Sequence, residues 1–265
     1  GAHSATDEVR VPARHASRPP LLDGKPLRDG VQWYMPPRRP YSRRELLVDR
    51  VVNFTGVAFS WAAAPTLGFL SCSAGDPWAK QVGFWVSTCG MVVMLTCSAF
   101  YHHLAWDWTK ANQLLSLDHI GISSMIMGAY TPLMQHCQCY RVLALVWLLG
   151  IGGCAQELYR SFGRGQGGAS GWSPIDIAHV VRYLLMGWTI VLIFPDAQAM
   201  APAGYLQWIV VGGALYTTGV LVFIRSALEF HLAIWHTQVL LGAVCCFAAN
   251  LQLVGAAHGG AGIPL

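Results

Sequence analysis

The sequence predicts an all-α integral membrane protein with seven transmembrane helices. Only 11% of its residues are charged and 54% are hydrophobic, whereas about a quarter of the residues of a soluble domain are charged. Five stretches without Asp, Glu, Lys or Arg exceed the roughly twenty residues that a spanning helix needs. They are residues 51–75, 81–106, 119–140, 197–224 and 230–265. Two shorter runs, 142–156 and 183–195, complete the seven; the second extends back through 175–181 if Arg182 is tolerated within the span.

The first 45 residues differ in composition from the rest of the chain. Seven of the fourteen prolines and ten of the seventeen Lys and Arg residues lie at or before Arg50, and such a composition cannot bury a core of its own. We therefore predict a flexible basic tail over residues 1–45 and a membrane domain over residues 46–265. A glycine-rich stretch, "SFGRGQGGASGWS" at residues 161–173, is predicted to be a mobile connector.

The distribution of basic residues predicts the orientation in the membrane. With seven spans, the side of the tail also receives Lys110, Arg160, Arg164 and Arg225, while the opposite side receives only Lys80 and Arg141. Basic residues are enriched in cytoplasmic segments of membrane proteins. We expect a cytoplasmic N-terminus and an outside C-terminus, and the net charge of +4 then requires no nucleic-acid partner.

Several polar residues of the predicted spans lie at one depth, near the cytoplasmic side. Ser98 and His102 are one turn apart at the end of the second span, Asp118 starts the third, and His231 and His236 start the seventh. The fifth span adds His179 near that depth. Alone, each has an ordinary structural explanation, as an interfacial histidine or a hydrogen bond between helices. Together, imidazoles and a carboxylate form the ligand set of a Zn²⁺ site with an open position for water.

Five motifs resemble, in order, those of one membrane protein family. They are Ser98-x-x-x-His102, "LDHIGISSMIMGAYTP", "YLLMGW", "GGALYTTGV" and "AIWHTQVLLGA". The chain from "YSRRELLVDRVVNFTG" onward is similar to the progestin and adipoQ receptor family, most closely to its hemolysin III branch. That resemblance implies seven helices that hold zinc through one histidine of the second helix and two of the seventh, four apart. It implies that a third-helix aspartate reaches the metal through water. The matching positions are His102, His236 and Asp118, and Ser98 matches a serine of the same signature.

One ligand position departs from the family pattern. The residue four before His236 is Leu232, and His231 precedes it. On a straight helix, positions five apart diverge by about 140°. A π-bulge would bring His231 to the metal, His179 would substitute from the fifth helix, or the site would keep two imidazoles. We take His102, His236 and His231 as the predicted zinc ligands.

Two functions follow from a zinc site at this depth. In the first, the protein hydrolyses a lipid amide or ester, with Asp118 deprotonating a metal-bound water and Ser98 holding the oxyanion. The resemblance implies ceramidase-like chemistry for some family members, with membrane lipids as partners. In the second, the protein is a receptor or membrane-remodelling protein whose zinc holds helices together. The substrate, the membrane and the oligomeric state do not follow from the sequence.

Overall fold

The computed structural model describes residues 21–22, 25–26, 41–104, 108–162 and 174–256. Its helices are α1 (Arg43–Ser73), α2 (Trp78–Leu104), α3 (Trp108–His136), α4 (Tyr140–Phe162), α5 (Pro174–Gly187), α6 (Phe194–Met200), α7 (Tyr205–Phe223) and α8 (His231–Leu253). A 3-10 helix, Thr189–Ile193, joins α5 to α6, and two short strands, β1 (Leu21–Leu22) and β2 (Lys25–Pro26), pair antiparallel. Most of the predicted tail and of the predicted glycine-rich connector lies outside the described residues.

Five helical segments are long and apolar enough to cross a membrane. They are Trp78–His103, Tyr140–Tyr159, Ile177–Met200, Tyr205–Phe223 and His231–Leu253. Helices α1 and α3 are longer, at 31 and 29 residues, but they carry more polar side chains. Many of those side chains are buried inside the protein, among them Glu45, Asp49, Asn53, His119 and Ser123. The two more polar helices therefore place their polar residues in the interior.

One predicted span boundary is wrong. The charge-free run predicts a single helix over residues 197–224, but α6 ends at Met200 and α7 begins at Tyr205. Between them stand Pro202 and Gly204, whose φ of +88° favours glycine because a Cβ atom would clash with the backbone. Residues 197–200 instead belong to the apolar segment Ile177–Met200. The last span ends earlier than the charge-free run, at Leu253.

The helices pack mostly between neighbours in sequence, and α8 closes on α1. Helix α2 contacts α1 and α3, α3 contacts α4, and α8 contacts both α7 and α1. Glycines let α2 and α3 approach most closely: a Cβ atom at Gly90 would lie 2.4 Å from the backbone oxygen of Ser124, and one at Gly121 would lie 2.8 Å from the Cα atom of Met94. Small residues at such contacts are typical of membrane helix pairs.

A buried ion pair holds the turn between α1 and α2. The carboxylate of Asp76 accepts hydrogen bonds from Lys80 Nζ at 2.7 Å and from Ser71 Oγ at 2.8 Å. Burial acts to raise the pKa of the Asp76 carboxyl group, but the hydrogen bonds from Lys80, Ser71 and the Gly255 backbone outweigh it, so the pKa lies below its ordinary value. Lys80 also donates to the backbone oxygen of Ala256 at 2.8 Å. This cluster therefore anchors the end of α8.

At the opposite end, a capping box starts α1. Ser42 accepts from the Glu45 backbone at 3.2 Å, and Glu45 Oε2 accepts from the Ser42 backbone at 2.8 Å. The second oxygen of Glu45, Oε1, accepts from the backbone N–H of Phe230 at 2.9 Å. Phe230 has a left-handed φ of 58° and immediately precedes α8. Glu45 thus joins the start of the first helix to the start of the last.

Candidate functional site

The predicted site residues meet at one end of the helix bundle. The start of α1, the end of α2, the start of α3 and the start of α8 all lie on this side. The imidazole rings of His102 on α2 and His236 on α8 are 4.4 Å apart between centroids, in an edge-to-face arrangement. These two rings, Asp118 and Ser98 line one internal cavity of about 250 Å³. The structure therefore brings together two of the predicted metal ligands and both predicted catalytic residues.

A buried carboxylate that the sequence analysis did not select orients His236. Asp49 of α1 is 4% exposed, and its Oδ1 lies 2.6 Å from His236 Nδ1. Because an ionised carboxylate only accepts hydrogen bonds, His236 Nδ1 must carry the proton and donate it. The amide nitrogen of Asn53 is also 3.0 Å from Nδ1, but two donors cannot hydrogen bond to each other, and the amide donates to the backbone oxygen of Asp49 at 2.9 Å. Nε2 of His236 is therefore the nitrogen with a lone pair.

The other oxygen of Asp49 faces a third imidazole. Oδ2 lies 3.6 Å from Nε2 of His103, which directly follows His102. The side chain of His102 is within electrostatic range of Asp49, His236 and His231. Asp49 consequently connects the end of α2 to the start of α8.

Asp118 and Ser98 line the α2–α3 side of the cavity. Asp118 is within electrostatic range of His236 and lies close to the Ser98 hydroxyl. Both side chains are half-buried because they face the cavity. The carboxylate that the sequence predicts to act on water therefore lies on the cavity wall, on the same side as Ser98.

His231 takes a different position from the other predicted ligands. It is the first residue of α8, which is α-helical throughout, so the predicted π-bulge between His231 and His236 is wrong. Its Nε2 lies 3.3 Å from the hydroxyl of Tyr41, and the two rings stack with centroids 5.5 Å apart. Although His231 lines the same cavity, its role as a metal ligand stays a prediction.

His179 belongs to a second buried cluster. Oε1 of Glu157 on α4 lies 3.1 Å from Nδ1 of His119 and 3.0 Å from Nε2 of His179. Arg182 donates to Nδ1 of His179 at 2.8 Å and to Oε1 of Gln156 at 3.1 Å. Both nitrogens of His179 face these partners, which speaks against His179 as the substitute zinc ligand. The cluster joins α5 to α3 and α4.

The residues present fit a metal in part. Within the described ranges, no group of three or more His, Cys, Asp or Glu side chains is arranged to hold a metal ion. However, Nε2 of His236 is buried and has no hydrogen-bond partner among the described residues. Since Asp49 fixes the proton on Nδ1, His236 has the tautomer and the hydrogen-bonded carboxylate that are typical of a metal-ligating histidine.

A signal for Asp49 and Asn53 does exist in the sequence. Glu45, Asp49 and Asn53 recur every four residues and are followed by Gly56 and Ser60, so they form one polar stripe on an otherwise apolar helix. All five residues are buried. Glu157 gives a weaker signal, as an acidic residue directly after a long apolar run.

Apolar helices of spanning length around a buried polar centre define an integral, multi-pass membrane protein. A family model described as haemolysin-III related matches residues 52–247, and the chain belongs to this family. It is 25% identical to a hemolysin-3 homolog of Bacillus subtilis (strain 168) over 211 residues, which are 78% of this chain and 93% of that protein. It is 29% identical to hemolysin-3 of Bacillus cereus over 181 residues, 65% of this chain and 75% of that protein. The resemblance to the hemolysin III branch is thereby confirmed.

Proposed function

We propose that this protein is an intramembrane zinc hydrolase that cleaves a lipid amide or ester. The observation that carries the proposal is the pairing of His236 with Asp49. It leaves a buried, unpartnered imidazole nitrogen at the cavity, beside His102 and in electrostatic contact with Asp118. Such a nitrogen is costly to bury unless something binds it.

His102 and His236 would hold the metal, and Asp49 would keep His236 in the required tautomer. His231, whose Nε2 lies 3.3 Å from the Tyr41 hydroxyl, is the proposed third ligand. A bound Zn²⁺ supplies a water of lowered pKa and polarises a carbonyl group. In this proposal Asp118 accepts the proton of the attacking water, and Ser98, which lines the same cavity, donates a hydrogen bond to the oxyanion.

The cavity supports a lipid as the substrate. Much of its wall is built from apolar side chains such as Met125, Ala129, Leu133 and Val239. A site within apolar helices is reached most directly by a molecule dissolved in the bilayer. An acyl chain would occupy the apolar part while its amide or ester group lies at His102 and His236, as for a ceramide-like substrate.

Turnover and metal content together test this proposal. Purified protein in detergent should contain about one zinc per chain and release fatty acid from short-chain ceramide, and a chelator should stop the release. His102→Ala should lose both the zinc and the activity. A matched control is His136→Ala, because His136 lies at the other end of α3, where its Nε2 contacts the backbone oxygen of Met200. Equal zinc in the wild type and in His102→Ala would refute the site.

We further propose seven spans with the N-terminus in the cytoplasm. In addition to the five apolar segments, α1 and α3 are long enough to cross, and their buried polar residues explain their lower hydropathy. The bias of basic residues supports this orientation, and Lys80 on the outer side is neutralised by Asp76. A tag at residue 1 should be protected in intact cells, while one after Leu265 should be accessible. The reverse labelling would overturn the orientation and move the site to the outer leaflet.

The Asp49 contacts also favour a second candidate function. Through His103 and His236 this carboxylate connects α1, α2 and α8, which suits a metal that only stabilises the bundle of a receptor or membrane-remodelling protein. The relatives are named hemolysin-3, a name that fits membrane lysis. Zinc-dependent thermal stability without turnover on any lipid amide or ester would favour this candidate.

A further inference from the structure

One arginine lies inside an apolar segment, on the outer surface of the bundle between α4 and α5. Arg182 is the sixth residue of the segment Ile177–Met200, about 7.5 Å from its start at the α-helical rise of 1.5 Å per residue. Its side chain is half-buried. Because a charge at this depth of a membrane is costly, such a residue indicates a partner that compensates the charge.

The protein supplies only neutral partners to the Arg182 guanidinium. Nη1 donates to Oε1 of Gln156 at 3.1 Å, and Nη2 donates to Nδ1 of His179 at 2.8 Å. The Cζ atom lies 5.2 Å from the centre of the Tyr183 ring. These two hydrogen bonds use two of the five N–H groups of a guanidinium. Among the described side chains, no carboxylate forms an ion pair with Arg182.

Glu157, the acid of the same cluster, faces two imidazoles instead. Its Oε1 lies 3.0 Å from Nε2 of His179 and 3.1 Å from Nδ1 of His119. Since a guanidinium only donates, Nδ1 of His179 accepts from Arg182, and the proton of this neutral imidazole is on Nε2, toward Glu157. The ring of His179 therefore stands between the guanidinium and the carboxylate, and Arg182 has no anion in direct contact.

Gln156 adds a second donor at the same level. Because Arg182 only donates, the Gln156 amide presents its oxygen to the guanidinium, and its NH₂ group is left for another acceptor. Gln156 is exposed and lies about 4.5 Å before the end of the apolar segment Tyr140–Tyr159. A Cβ atom at Gly153 would lie 2.4 Å from Cζ of Arg182, so the absence of a side chain at Gly153 lets the guanidinium pack directly on α4 beside Gln156.

We propose that Arg182 and Gln156 bind the phosphate group of an anionic phospholipid. Both residues lie close to the ends of their apolar segments, where long basic side chains reach lipid head groups, and basic pockets between membrane helices bind anionic head groups. A guanidinium also matches the geometry of a phosphate. The surrounding surface suits acyl chains, because Tyr159, Ile177 and Val181 are 80%, 51% and 48% exposed.

Lipid binding by the full chain tests this site without zinc or turnover. The purified protein in a non-ionic detergent is titrated with phosphatidylglycerol or phosphatidylcholine of identical acyl chains, and native mass spectrometry counts the bound lipids. We expect the first phosphatidylglycerol to bind about tenfold more tightly than phosphatidylcholine, as one charge-assisted hydrogen bond allows. Excess inorganic phosphate should not displace this lipid, because its acyl chains add apolar contacts.

Four variants assign the preference to the proposed site. Arg182→Gln removes the charge and should bind both lipids equally, while Arg182→Lys should keep part of the preference because an ammonium group contacts phosphate as a point charge. Gln156→Leu removes only a neutral donor and should weaken phosphatidylglycerol binding less than Arg182→Gln does. The matched control is Arg225→Gln, because Arg225 is exposed and lies between α7 and α8 at the same end of the bundle. It should keep the full preference.

Three results would overturn the site. They are equal affinity of the wild type for the two lipids, displacement of the bound lipid by inorganic phosphate, and a wild-type preference in Arg182→Gln, as expected if exposed basic residues attract anionic lipids in general. If Arg182→Gln does not fold, an unchanged preference in both Arg182→Lys and Gln156→Leu overturns the site as well. Failure of the hydrolase proposal looks different, because it would remove turnover and leave this lipid preference in place.

Discussion

Replacing Asp49 with Asn should weaken zinc binding without removing a zinc ligand. Asparagine keeps the shape of the side chain and one oxygen that can accept from His236 Nδ1, but it removes the charge. The 2.6 Å contact then changes from a charge-assisted hydrogen bond to a neutral one, which is roughly half as strong. The carboxylate that His103 faces at 3.6 Å also loses its charge.

The size of the effect follows from the role of a carboxylate behind a metal-ligating histidine. Loss of such an outer partner typically costs about 10–100-fold in metal affinity, which is about 1.4–2.8 kcal/mol at 1.4 kcal/mol per tenfold. We expect Asp49→Asn to retain zinc in weak chelator buffers. It should lose its zinc at a chelator concentration about 10–100-fold lower than the wild type requires. Elemental analysis after equilibration in graded chelator buffers measures this shift.

Asp76→Asn is the matched control for Asp49→Asn. Asp76 is also a buried carboxylate with hydrogen-bond partners, at 7% exposure, but it follows the opposite end of α1. The Asp76→Asn substitution should lower the thermal stability of the protein and leave its zinc affinity unchanged. Equal zinc affinity of Asp49→Asn and the wild type, or an equal loss in both variants, would refute the role assigned to Asp49.

Three further predictions concern the ligand spacing, the helix packing and the pH dependence. Because His231 is the proposed third ligand, His231→Ala should lose zinc, and adding Leu232→His, which places an imidazole four residues before His236 on a regular helix, should restore it; full zinc in His231→Ala would show that His231 is not a ligand. Gly90→Ala should lower the melting temperature because its Cβ atom would meet backbone at 2.4 Å, whereas Gly213→Ala, with nothing within 4 Å, should not; equal melting temperatures would contradict the packing. The folded-state pKa of Asp76 is depressed, so its stabilisation is fully present above the unfolded value of 3.8 and is lost as the pH falls toward the lower folded pKa. Thermal melts should show this loss in the wild type and not in Asp76→Asn, and identical pH profiles would disprove it.

The sequence predicts an all-α membrane protein correctly, and five of its seven predicted spans correspond to helices long and apolar enough to cross a membrane, because burial in lipid demands long apolar runs. The same rule explains its errors. A search for charge-free runs treats each acidic residue as a boundary, so Asp49 is assigned to the approach of the first span although it is buried within α1. Likewise, the run 197–224 contains no charge to mark the turn at Gly204, which depends on a backbone conformation that hydropathy does not detect.

Part of the candidate site also follows from the sequence. His102, Ser98 and Asp118 lie on helices that are adjacent in the chain, so helical spacing and span order are sufficient to place them at one depth. His231 shows where that reasoning ends. Its contact with Tyr41 joins residues 190 positions apart, and no local pattern indicates which side chain from the start of the chain meets the last helix.

The pairing of α1 with α8 has a consequence for how the protein is made. Synthesis proceeds from the N-terminus, so α1 leaves the ribosome long before its partners exist. Until α8 arrives, Glu45 lacks the Phe230 amide and Asp49 lacks His236, and burying a carboxylate without its partner is strongly unfavourable. The first helix therefore cannot settle in its final place until the last has been inserted. A chain that is cut short before α8 would lack the contacts that Glu45 and Asp49 make with Phe230 and His236, a defect by which a quality-control protease can distinguish incomplete molecules from finished ones.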